Sequence, residues 1–211
     1  FAEVPNNPSI THAVQFITNL SKDEIIFREI VDLDRKSFWP QAKELWKIRI
    51  EVVNKVLRKK KRSNEEDEFD REFSRYISWL NNLPKTITLK ELETLLLETI
   101  KINQRGWQLP NIIEYLSQNS KEYPLISIRL FEKLMHTKAP SYFFQGKEKE
   151  IETILNNAIN TKQTEAYYYA DSITNTFGEW GNYYFKGFWN ENLKGRKIVR
   201  PKKPILKKKW R

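Results

Sequence analysis

The stretch from Thr88 to Phe177 constrains this chain most, because it reads as a succession of short helices with brief breaks, each carrying an apolar stripe. Leu89, Leu92, Leu96 and Ile100 recur at three- and four-residue intervals, the period that puts side chains on one face of a helix. Leu95 and Leu97 widen that stripe, and Thr88 with Glu91 makes a capping box in front of it. Gly106 breaks the run, after which Leu109, Ile112, Ile113 and Leu116 mark a partner helix. Pro124 opens the segment PLISIRLFEKLM, which is apolar on nearly every side, in a rod over 124–136. Such a helix has to be covered by neighbours on more than one side, so it is expected to be the central rod of a stacked array of helical hairpins. Ala139-Pro140 and Gly146 bound an aromatic loop, SYFFQG. Ile151, Ile154, Leu155 and Ala158 stripe the next helix, and Ala166, Tyr169, Ala170, Ile173 and Phe177 the one after. Gly178 is expected to end that helix as its C-terminal cap residue.

The first half follows the same grammar. A short helix over 9–20 would turn Val14 and Ile17 inward, and Ser21 with Glu24 offers a capping box for a second. Pro40 suits the first position of a long helix striped by Trp46, Ile50, Val53 and Leu57. That helix ends in Arg58-Lys59-Lys60-Lys61-Arg62, and Ser63 with Glu66 caps an acidic helix start, EEDEFD. Cations at a helix C-terminus and anions at an N-terminus both suit the macrodipole, so the two helices are expected to form an antiparallel hairpin. Phe69, Phe73, Tyr76, Ile77 and Leu80 line its second arm, which Leu83-Pro84 should stop.

Helix starts near residues 40, 88, 124 and 164 lie 48, 36 and 40 residues apart. Two helices per such unit is the spacing of HEAT-type α-solenoid repeats. No sustained polar–apolar alternation and no Asn-Gly hairpin signal stands against it. The expected fold is therefore all-α: a short α-solenoid of HEAT-like antiparallel hairpins, or an irregular helical bundle. The expected organisation is an N-terminal lead-in with short helices over 1–39, a helical-repeat domain over 40–193 and a basic tail over 194–211.

The formal charge of +10 is unevenly placed. Residues 194–211 hold ten Lys and Arg and no acid, which leaves 27 basic residues against 27 acidic ones in the body. A basic tail on a neutral body invites contact with phosphates through Arg196, Lys197, Arg200, Lys202, Lys203, Lys207, Lys208, Lys209 and Arg211, with the cluster Arg58, Lys59, Lys60, Lys61 and Arg62 as a second candidate. The plainer alternative is a solvated tail. Just before it, FGEWGNYYFKGFW packs seven aromatics into thirteen residues, 177–189. Trp180, Tyr183, Tyr184 and Trp189 are candidates to stack on bases or on an apolar partner. Closure of the last apolar face of the array is the favoured alternative for this segment.

Little else suggests chemistry. The two histidines, His12 and His136, lie far apart, and neither is expected to have a carboxylate or second His at ligand spacing on its own helix. No glycine-rich phosphate loop and no G-x-S-x-G elbow occurs. No cofactor and no metal is expected. There is no cysteine, which fits a reducing, cytoplasmic setting, and no run of about 18 apolar residues that would predict a membrane span. The N-terminus does not read as a signal peptide. The absence of an initiator Met suggests a processed chain or a piece of a longer one.

The series QAKELWKIRIEVV, EFDREFSRYISWLNNLP, LPNIIEYLSQNSKEYPLISIRLFEKLM and KEKEIETILNNAI resembles C-terminal helical-repeat regions of large bacterial STAND or NACHT-like NTPases of anti-phage defence. The likeness spans about residues 40–200 and is carried by Leu45-Trp46, Trp79, Tyr123-Pro124 and the stripe from Ile151 to Ala158. It implies a nucleotide site upstream of Phe1 and a sensor or scaffold role for this piece. The basic tail departs from the pattern. Three functions follow in order: a non-catalytic scaffold docking a macromolecular partner, protein or nucleic acid, with upstream domains of the same chain among the candidates; a nucleic-acid-binding protein using the tail; and a HEAT-like DNA glycosylase acting through Trp and Asp side chains.

Overall fold

A computed structural model describes residues 8–33, 38–59, 65–102 and 108–201. Among these residues the chain is all-helical, with ten α-helices, two 3-10 turns and no strand. In order they are α1 (Pro8–Leu20), α2 (Glu24–Leu33), α3 (Phe38–Lys59), α4 (Glu65–Ser78), α5 (Leu89–Ile102), α6 (Leu109–Asn119), α7 (Pro124–Met135), α8 (Glu148–Ile159), α9 (Thr164–Glu179) and α10 (Lys186–Asn192). The 3-10 turns are Leu80–Asn82, after α4, and Ser141–Phe144, inside the expected aromatic loop.

Local chemistry explains most boundaries, and in places it overrules the sequence expectation. At α5 the capping box forms as expected: Thr88 Oγ1 accepts from Glu91 N at 3.2 Å and Glu91 Oε2 accepts from Thr88 N at 3.1 Å. At α2 it does not. Asp23 caps that helix by accepting from Ile26 N at 3.0 Å, while the Ser21 hydroxyl donates to Thr18 O at 2.9 Å. A carboxylate two residues further on out-competes the serine for the free amides. Pro40 lies in the first turn of α3 rather than at its first residue, a position where its missing N–H is still harmless. The second arm of the hairpin stops at Ser78, and the chain goes on through Trp79 into the 3-10 turn before Pro84. The pairing Ser63–Glu66 involves a residue outside the described ones.

Gly178 does not end α9. It lies inside the helix, and Gly181 takes the left-handed conformation instead, with φ +74°. Asn182 N donates to Phe177 O at 2.9 Å and Gly181 N to Gly178 O at 3.0 Å. Those are the two bonds of a Schellman turn, and they place the reversal three residues later than expected.

Packing runs in two successions. Helices α3, α5, α7 and α9 pack each against the next, and so do α1, α4, α6 and α8. The central rod is α7, which touches α5, α6, α8 and α9 and buries Ile128, Leu130, Phe131, Leu134 and Met135. Helices α3 and α4 meet antiparallel through long side chains: Trp46 stacks on Tyr76 at 5.2 Å, and Arg49 pairs with Glu72 one turn further along. Trp79 closes this aromatic group, edge-on to both Trp46 and Tyr76. Long-range hydrogen bonds fix the register. Trp46 Nε1 donates to Thr99 Oγ1 at 2.8 Å, and Trp79 Nε1 donates to Thr18 Oγ1 at 3.1 Å. One continuous core runs from Ile10 to Leu193. No described helix is long and apolar enough to cross a membrane.

Candidate functional site

The rod α7 is not apolar all round. Arg129, Glu132, Lys133 and His136 follow at spacings of three, one and three, which places them along one side of the helix and its C-terminal end. Arg129 bridges two neighbouring helices. One of its Nη atoms bonds Glu93 of α5, and the other lies 3.6 Å from Glu165 of α9. A row of charges, Glu93–Arg129–Glu165, therefore crosses three successive helices of one layer, and all three side chains remain partly exposed.

One helical turn on, Glu132 is only 4% exposed. Its Oε1 lies 3.1 Å from His136 Nε2, and Lys133 Nζ lies 2.8 Å from its second oxygen, outside hydrogen-bond geometry. This overturns the expectation that His136 lacks a carboxylate at ligand spacing; the signal was Glu132, four residues earlier. Tyr169 of α9 packs beside this group, and burial first, then the negative charge of Glu165, pushes its phenol up to about 12. His136 also borders an open cleft of about 460 Å³ between the C-terminal ends of α7 and α9, lined among others by Met135, Lys138, Thr176, Glu179 and Trp180. Among the described residues no group of three His, Asp or Glu stands close enough together to hold a metal ion.

The aromatic segment after α9 splits into two roles. Trp180 packs on Phe144 at 5.2 Å and Phe177 at 5.5 Å, and Phe185 packs on Phe177 at 4.8 Å. Trp189 is half-buried and its Nε1 donates to Asp171 Oδ1 at 2.9 Å. Trp180 and Trp189 thus help close the end of the core. Tyr183 and Tyr184 stand out from it, 68% and 54% exposed. Tyr142, which the sequence does not single out, is exposed as well.

Of the cations singled out by sequence, Arg58 is exposed near the end of α3, and Arg196, Lys197 and Arg200 are exposed after α10. Lys59 is the last residue of α3, with its side chain outside the described set. Lys60, Lys61, Arg62, Lys202, Lys203, Lys207, Lys208, Lys209 and Arg211 lie outside the described residues. The two clusters are not brought together by any contact among described residues. Compared with family models, with curated proteins and with solved structures, the chain finds no match.

Proposed function

We propose that this chain is a short α-solenoid whose role is to hold a macromolecular partner rather than to turn over a substrate. What supports this is the charged row Glu93–Arg129–Glu165, laid across α5, α7 and α9 and partly open to solvent. In a solenoid the outer side of each layer is open to a partner, and such a surface binds by shape and charge pattern without a deep pocket. The resemblance to helical-repeat regions of bacterial defence NTPases fits the same role, that of a cytoplasmic sensor or scaffold arm of a larger assembly.

The test places a photo-crosslinking amino acid at exposed positions of each layer in the full chain, expressed in its native cells. Thr94 and Lys133 report on the α5–α7–α9 layer, and Thr153 and Asn156 on α8 of the other. The expected result is one and the same partner captured from Thr94 and from Lys133 and not from Thr153 or Asn156. Capture that ignores the layer, or none from any position, refutes the reading.

A further inference from the structure

We infer that the C-terminal end of the array is a binding surface for single-stranded nucleic acid, in which Lys186, Lys194, Lys197 and Arg200 hold phosphates and Tyr183 stacks on a base. The inference does not depend on which face of the array holds a protein partner.

The charge pattern alone suggests a loose basic tail, but its first part is fixed to the body. After the Schellman turn at Gly181, the chain reverses and runs back along α9. Trp189 bonds Asp171, and further on the Arg196 guanidinium lies 4.4 Å from the centroid of the Tyr167 ring, near the start of α9. Arg196 Nε also donates to Asn192 O at 2.6 Å. Leu193 is buried, Gly195 supplies a left-handed turn at φ +78°, and Ile198 is half-buried. The segment is therefore anchored by apolar and backbone contacts, and its charges are left over for something else.

From residue 186 to residue 200 there are five cations and a single acid, Glu191. Lys186, Lys194, Lys197 and Arg200 are all exposed, and no described carboxylate lies within ion-pair distance of any of them. Residues 194–200 carry no regular secondary structure. Seven such residues reach at most about 25 Å, enough to follow several consecutive phosphates of one strand. At the start of this band, Tyr183 and Tyr184 project from an aromatic cluster, with Tyr184 packed on Phe185 at 4.9 Å. A row of cations that starts at outward-facing rings, with Lys186 N bonded to Tyr183 O at 3.0 Å, offers the two elements that bind single strands without sequence preference. Duplex DNA keeps its bases stacked on one another, so it can use only the cations.

The experiment titrates the full chain against a fluorescein-labelled 20-nucleotide oligothymidylate and follows anisotropy between about 50 and 200 mM salt. Affinity should fall log-linearly with salt. Replacing Lys194, Lys197 and Arg200 together by Ser should flatten that slope by about 2, at roughly 0.7 for each phosphate no longer neutralised. Tyr183→Ala should weaken binding roughly five- to a hundredfold with the slope unchanged, and Tyr183→Phe should retain it. The side chain is too exposed for these changes to disturb the fold, which circular dichroism checks. An unchanged slope in the triple variant overturns the inference, as does full affinity in Tyr183→Ala. A duplex of the same length bound more tightly, or anionic lipid vesicles that displace the oligonucleotide, overturns it too.

Discussion

Glu72→Ala should be among the most destabilising single changes outside the apolar core. Arg49 is 1% exposed, and its guanidinium meets Glu72 in a two-pronged pair: Nε to Oε1 at 2.8 Å and Nη2 to Oε2 at 2.8 Å. The Tyr76 hydroxyl donates to the same Oε1 at 3.1 Å. Burial opposes the arginine's charge, but the hydrogen bond and charge of Glu72 outweigh it and hold the guanidinium pKa above its ordinary value, so no accessible pH neutralises it. Removing the carboxylate breaks this buried two-pronged pair and takes both bonds to Glu72 from Arg49, and breaking a buried pair by removing one partner typically costs about 3–5 kcal/mol. At roughly 2–4 °C per kcal/mol for a chain of this size, the melting temperature should drop by about 6–20 °C. Arg49→Met should cost less, because Glu72 retains the Tyr76 hydroxyl and some access to water. The double variant Arg49→Met, Glu72→Met should recover most of the loss, since two apolar chains of similar length fill the same space. Urea unfolding followed by circular dichroism gives all three values and their coupling. A cost below about 1 kcal/mol for Glu72→Ala, or a double variant as unstable as the sum of the singles, would refute this account of the α3–α4 contact.

Other expectations are as direct. Thr88→Ala removes the capping oxygen of α5 and should cost about 1 kcal/mol in the same assay. Gly181→Ala should destabilise by about 1 kcal/mol or more, because an L side chain resists a φ of +74°, whereas Gly178→Ala, inside α9 with open space at its Cβ, should be neutral to stabilising; the reverse order would undo the placement of the α9 reversal at Gly181. Tyr115 carries a buried hydroxyl without a hydrogen-bond partner, so Tyr115→Phe should leave stability unchanged or raise it by up to about 1 kcal/mol. Burial first, then the neighbouring Glu residues, raises the phenols of Tyr115 and Tyr169, the latter to about 12. A phenol that keeps its proton longer in the folded state contributes stability that is whole below the unfolded value near 10 and is lost as pH rises through the folded one. Stability measured from about pH 10 to 12 should therefore decline, and Tyr169→Phe should lessen that slope.

What could be read from the chain was whatever depends on neighbours within a turn or two. Apolar residues at helical intervals marked where α5 to α9 run, and Thr88 with Glu91 marked where α5 begins, because helix formation and capping are settled by residues three or four apart. Even locally, close rivals decide: Asp23 displaces Ser21 as a cap, and Gly181 displaces Gly178, since the last turn ends where its apolar contacts end. The pair Glu132 and His136 is legible at a spacing of four, but not the burial of Glu132. Partnership is different. Thr18 receives the Trp79 indole from 61 residues away, Thr99 that of Trp46 from 53, and Arg129 joins helices that begin and end far from it in sequence. The period of the apolar residues makes a helix and says which side is inward, but each such side could fit many others. Only the simultaneous burial of all of them selected α1 against α4 and folded the first part of the basic tail back along α9.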